Sequence, residues 1–291
     1  MIALEALGAA GLAVVGVAYA IRATRLAEAG RPLPHWRLAC FAGGIAVLAV
    51  AIASPLEGLA EELIVGHMVQ HLLIIDIAAL LIVLGLTGPM LQPLLAIRWL
   101  RWLQALAHPV VSFVLWAGIL YVWHIPALYQ AATFDSPLLH SIEHASFLFA
   151  GLGIWLSLLG PLPKPAWFGN GAKVIYVIGV RLVGTVLANV MMWSGTPLYP
   201  EYEPFQIARG VEPLSDQGWA GIVMMFESTA ITLATLTWLF FLWARQDTER
   251  QELIDYATDQ GVELDPARAG RAVAAGQGER LRERIGTSQR R

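Results

Sequence analysis

The chain has 291 residues, of which 57% are hydrophobic and only 14% charged, with a net charge of −3 and a mean hydropathy of +0.59. A soluble domain carries roughly a quarter charged residues, so the composition points to lipid as the main solvent and away from any nucleic-acid partner. The single cysteine, Cys40, excludes an intramolecular disulfide and any multi-cysteine zinc or iron–sulfur cage.

Seven apolar stretches are long enough to cross a bilayer, for which a helix needs about 20 residues. They run Ile2–Ile21, Leu38–Pro55, Leu63–Leu86, Pro109–Trp123, Leu138–Leu159, Val174–Ser194 and Trp219–Trp243. Gly88-Pro89, Gly160-Pro161-Leu162-Pro163 and Gly195-Thr196-Pro197 punctuate them. Ala18-Tyr19-Ala20 resembles a signal-peptide cleavage site, but no basic residue precedes the apolar run, and Arg22 and Arg25 follow it. That flank is expected of a retained span that starts outside. The fold expected is an all-α integral membrane protein, a seven-span helical bundle over 1–245 with a polar cytosolic tail over 246–291.

Basic residues set the expected orientation. All but Arg181 and Arg209 fall in Arg22–Arg37, Arg98–Arg101, Lys164–Lys173 or the tail from Arg245. The alternate segments carry Glu57, Glu61, Glu62, Asp135, Glu201, Glu203, Glu212 and Asp216. By the positive-inside rule the N-terminus lies outside and the C-terminus is cytoplasmic. The tail has mixed charge and few large apolar residues, so a solvated helix or partial disorder is expected there.

This topology gives each polar side chain a depth. His67 and His71 begin span three, His124 ends span four, and His140 and His144 begin span five, all at the outer face. Met191 and Met192 end span six, while Met224 and Met225 lie in the first turns of span seven. Five of the seven histidines and four of the seven methionines thus reach one leaflet from five helices. His35 and His108 fall on the opposite side. Taken singly, an interfacial histidine is a hydrogen-bonding group and a methionine is filler; convergence argues for more. His67/His71 and His140/His144 are both H-x-x-x-H, and residues four apart share a helix face. Imidazole suits copper, zinc, iron and nickel, and its mixture with thioether points to Cu(I).

Alternatives remain open. His140-Ser141-Ile142-Glu143-His144 also fits the H-x-x-E-H pattern of a zinc metalloprotease, whereas the other pair has Gln70 at the matching place, which suits a polar supporting role. Two histidines on separate helices would also serve a b-type haem. Asp76, Arg181 and Glu227 are costly in lipid and are expected to pair or to line a polar path. An Asp76–Arg181 ion pair is the natural pairing by depth, and Glu227 is placed to orient a histidine or add a ligand. Spans three-four and five-six also show a weak internal repeat of about 70 residues, marked by the histidine pairs and by Trp, Pro and Leu-Tyr at 123–129 and 193–199.

Gly66-His67-Met68-Val69-Gln70-His71-Leu72-Leu73, Trp123-His124-Ile125-Pro126-Ala127-Leu128-Tyr129, Leu139-His140-Ser141-Ile142-Glu143-His144, Pro197-Leu198-Tyr199 and Asp216-Gln217 occur in that order. Over about residues 35–245 the chain resembles the multi-span CtaG family of bacterial cytochrome c oxidase assembly factors. The resemblance implies a multi-pass plasma-membrane protein that assists maturation of a haem-copper oxidase without catalytic turnover, with a suspected role in supplying copper. Its matching histidines are His67, His71, His124, His140 and His144. Expected partners are oxidase subunits or a periplasmic copper carrier. The sequence departs from the family at Met224-Met225-Phe226-Glu227-Ser228, so Glu227 has no support from the resemblance.

Overall fold

A computed structural model describes residues 2–288, with the backbone alone at 2–7, 99–103 and 288; residues 289–291 of the expected tail lie outside the described residues. In chain order the helices are α1 (Ile2–Glu28), α2 (His35–Ala53), α3 (Pro55–Glu62), α4 (Ile64–Leu72), α5 (Ala79–Gly85), α6 (Gly88–Ala96), α7 (Pro109–Trp123), α8 (Pro126–Gln130), α9 (Pro137–Leu158), α10 (Asn170–Trp193), α11 (Glu203–Ala208), α12 (Pro213–Asp259), α13 (Pro266–Ala274) and α14 (Gly278–Ser288). A wide π turn, Leu73–Ala78, joins α4 to α5 and a second, Ala131–Asp135, follows α8. No strand occurs among the described residues.

Helix starts follow from local chemistry. Proline opens α3, α7, α8 and α9, where its missing N–H has no intrahelical acceptor to lose. Ser54 Oγ accepts from Leu56 N at 3.1 Å and Ser136 Oγ from Leu139 N at 3.3 Å, satisfying first-turn donors of α3 and α9.

Six helical stretches are long and apolar enough to cross a membrane: Gly8–Glu28, His35–Ala53, Ile64–Gly85, Pro137–Leu158, Asn170–Trp193 and Pro213–Asp259. The count reaches seven if Pro109–Trp123 is joined to Pro126–Asp135 across a 76° bend. The fourth expected span matches α7 to the residue, but its 15 residues reach only about 22 Å. Span seven is longer than its apolar part, because the helix continues through the charged residues beyond Trp243.

The chain divides into two compact units, 1–230 and 231–291. In the first, α2 lies against α5 and the first π turn, and α7 and α5 against α9. Glycines permit the closest approaches, as expected where helices meet through small residues. A Cβ on Gly151 of α9 would fall on the carbonyl oxygen of Ile75, and one on Gly44 of α2 would lie 2.8 Å from Ile82 Cγ1. Val114, Leu182 and Phe226 are exposed, as suits a lipid-facing surface.

The second unit is helical and has a small core of its own. The end of α12 with α13 and α14 encloses a small core of Leu253, Ala257, Leu264, Ala269, Val273, Leu281 and Ile285. Leu253/Ala257, Ala269/Val273 and Leu281/Ile285 each sit four apart on one helix face, an apolar pattern diluted in the composition by the charges between them.

Candidate metal centre

The two histidine pairs occupy matching places: His67 and His140 are the fourth residues of α4 and α9, and His71 and His144 the eighth. Each pair therefore projects from one face near a helix start. The faces meet. Ring centroids of His67 and His71 are 4.2 Å apart, His140 and His144 4.2 Å, His67 and His140 5.3 Å, and His71 and His144 5.5 Å. His67, His71, His124 and His140 are buried. His108 precedes α7, at the end of that helix opposite His124 and about 24 Å away along its axis.

Two overlapping donor groups result. One atom each from His67, His140 and His144 lie within 4.8 Å of one another, as do one each from His67, His71 and Glu143. A tetrahedral site with metal–nitrogen bonds of about 2.1 Å holds its nitrogens about 3.4 Å apart, so either group needs only a modest contraction. Glu143 is 0% exposed, with Oε1 3.6 Å from His71 Nε2 and Oε2 3.8 Å from His67 Nε2. Neither carboxylate oxygen has a hydrogen-bond partner, nor do His71 Nδ1, His124 Nε2, His140 Nε2 or His144 Nε2. Buried polar atoms are ordinarily paired, and this group of imidazole nitrogens with one carboxylate fits a borderline cation such as copper or zinc.

Hydrogen bonds fix where the lone pairs point. Tyr202 donates its hydroxyl to Ala60 O at 2.9 Å, so it accepts from His67 Nδ1 at 3.0 Å and leaves the His67 Nε2 lone pair facing the centre. That lone pair accepts from His71 Nε2 at 2.8 Å. His124 Nδ1 donates to Leu120 O at 2.7 Å, which likewise leaves Nε2 as the lone-pair atom. Burial raises the pKa of the Tyr202 and Tyr199 phenols, the Glu143 carboxylate adding to the rise in each, so both remain protonated donors at neutral pH.

Gln70 and Glu143 are both the seventh residue of their helices and both 0% exposed. They act crosswise: Glu143 of α9 faces the histidines of α4, while Gln70 of α4 donates to Glu57 Oε2 at 2.7 Å, and Glu57 Oε1 lies 3.7 Å from His140 Nδ1. The Gln70 side chain also holds Ala51 O at 2.7 Å.

A profile model of the cytochrome c oxidase caa3 assembly factor family matches residues 17–246. The chain belongs to that family. Its relatives include an uncharacterised protein of Mycobacterium leprae, 23% identical over 257 residues, covering 80% of this chain and 38% of the relative. Uncharacterised proteins of Mycobacterium bovis and Mycobacterium tuberculosis are each 24% identical over 283 residues, covering 87% of this chain and 42% of theirs. The chain thus spans about two fifths of the length of these relatives. No solved structure matches it.

The remaining motifs of this family member brace the histidines. Asp216, at the start of α12, accepts from Ile64 N at 2.7 Å and Val65 N at 3.1 Å, capping the helix that carries His67 and His71. Gln206 donates to the same carboxylate at 2.7 Å. Gln217 accepts from Leu198 N at 2.7 Å and donates to Met191 O at 3.1 Å. Tyr199 donates to His124 O at 3.1 Å and stacks on Tyr129, whose ring lies 4.8 Å from that of His67. Tyr202 went unread in the sequence, where Glu57 counts only as an outer-loop charge; Tyr202 meets its histidine across 135 residues.

The methionines face different surroundings. Met191 and Met224 are buried. Met192 lies where a side chain on Gly221 would have to go, and Met225 Sδ is 3.9 Å from Arg181. The Asp76–Arg181 ion pair expected by depth is not formed. Arg181 donates instead to Ser228 Oγ, Thr229 Oγ1 and Met225 O of α12. Glu227 is half-buried, and neither of its carboxylate oxygens has a hydrogen-bond partner. Depth alone left the helix rotations undetermined, and rotation turns Arg181 onto α12.

Proposed function

We propose that this protein holds copper, as Cu(I), at His67, His71, His140 and His144 and passes it on during assembly of a haem-copper oxidase in the bacterial plasma membrane. The observation that carries this reading is the meeting of the His67, His71, His140 and His144 rings from two helices, the last three each with a buried nitrogen that lacks a protein partner, in a member of an oxidase assembly family. Copper is the cargo; the chain supplies a site without thiols, suited to an oxidising compartment. His124 adds a further lone-pair nitrogen beside Tyr129 and Phe147.

Two rival chemistries fit the geometry less well. A b-type haem needs a flat slot between two axial imidazoles, whereas the rings here are packed edge and face on one another at 4.2–5.5 Å. A metalloprotease needs its glutamate beside an attacking water, whereas Glu143 is sealed against His67 and His71. The partners in this reading are oxidase subunits or a periplasmic copper carrier.

Cells lacking the protein and complemented with a variant in which both histidine pairs are replaced by asparagine should lose at least about 90% of oxidase activity, at an unchanged amount of the variant in the membrane. A His35→Asn variant should restore full activity. Full activity in the four-histidine variant would refute the reading.

A further inference from the structure

His140 and His144 line a cavity of about 610 Å³ together with Glu57, Glu61 and Glu62. Leu48 and Ile52 of α2 supply apolar wall. Three carboxylates in eight residues of α3 are not by themselves a site. The second observation is that His140, only 8% exposed, lines this same cavity and has a buried Nε2 without a protein partner, and His144, also in the lining, has an unpartnered buried Nε2 as well.

Glu62 pairs with Arg209. Glu57 and Glu61 are four residues apart, so they share a face of α3 and repel each other. Glu57 reaches the histidines: Gln70 holds one of its oxygens and the other faces His140 Nδ1 at 3.7 Å. A concave surface of one sign with low-dielectric walls concentrates counter-ions and speeds their association. Anionic ligands, including a porphyrin with its propionates, meet the opposite effect.

We infer that this cavity is the route by which a monovalent soft cation reaches the histidines, with Glu61 attracting it and Glu57 passing it to His140. Carboxylate oxygens bind such an ion weakly and imidazole more firmly, so the affinity rises along the path and the ion is not trapped at the mouth. This rests on the copper reading above and adds to it a direction of access and a preference for cations.

The test is the rate at which purified, metal-free full-length protein in detergent takes Cu(I) from a chromophoric chelator. Uptake by the wild type should slow as salt is raised. Glu61→Gln should slow uptake about threefold at low salt and Glu61→Lys about tenfold, with the differences vanishing at high salt and the final copper content unchanged. Thermal melting identical to wild type would verify that both variants are folded. Equal rates for all three proteins at low salt would overturn the access route while leaving the copper site standing. No uptake by the wild type would instead overturn the copper reading, and the route with it.

Discussion

Gly151→Ala should remove most of the folded protein from the membrane. On α9 an added Cβ would fall on the carbonyl oxygen of Ile75 in the π turn, and it would lie 2.9 Å from Ala79 Cβ. Those atoms are backbone and a short side chain, so no rotamer change relieves the clash; α9 must move away from the α4–α5 span. Overpacking of this kind costs about 3 kcal/mol or more when backbone has to shift. The same displacement would draw His140 and His144 away from His67 and His71, so any surviving protein should also bind copper poorly. Gly118→Ala is the control, because nothing lies within 4 Å of a Cβ there and alanine favours a helix by up to about 1 kcal/mol. Membrane abundance and melting temperature check both; wild-type abundance and stability in Gly151→Ala would contradict the close approach.

Glu143→Gln should move stability and copper binding in opposite directions. The carboxylate is 0% exposed and has no hydrogen-bond partner, its nearest polar neighbours being imidazole nitrogens at 3.6 and 3.8 Å. Glutamine keeps the shape and relieves the cost of burying an acid whose oxygens have no hydrogen-bond partner, so the metal-free variant should melt a few degrees higher than the metal-free wild type. With copper present the order should reverse, because the carboxylate would be lost as a ligand or as the group orienting two ligands, a change worth about 10–100-fold in affinity. Melting with and without Cu(I), together with chelator competition, measures both. A variant less stable without metal and unaltered in copper affinity would show that Glu143 is only a structural partner of the histidines.

Much of this site was legible because it is local in sequence. The H-x-x-x-H spacing specified two helix faces, and the charge pattern brought the faces to one end of the spans; α4 and α9 carry the pairs at identical places. What escaped is non-local. Asp216 caps α4 from 152 residues away, and Tyr202 sets the His67 tautomer from a short loop helix that hydropathy reads only as a connection. Rotation about helix axes was also hidden: Arg181 and Asp76 have compatible depths, yet Arg181 turns to Ser228 and Thr229. The core of the second unit was missed because alternating charges mask its i,i+4 apolar pairs in a composition average.

Copper analysis of the purified full-length protein tests the central claim most directly. Wild-type protein reconstituted with Cu(I) and passed through a desalting column should retain about one copper per chain, and His35→Asn and His108→Asn should retain the same. The variant lacking His67, His71, His140 and His144 should retain essentially none while eluting as a folded protein. Wild-type copper content in that variant, or a wild type that retains no copper, would contradict the account.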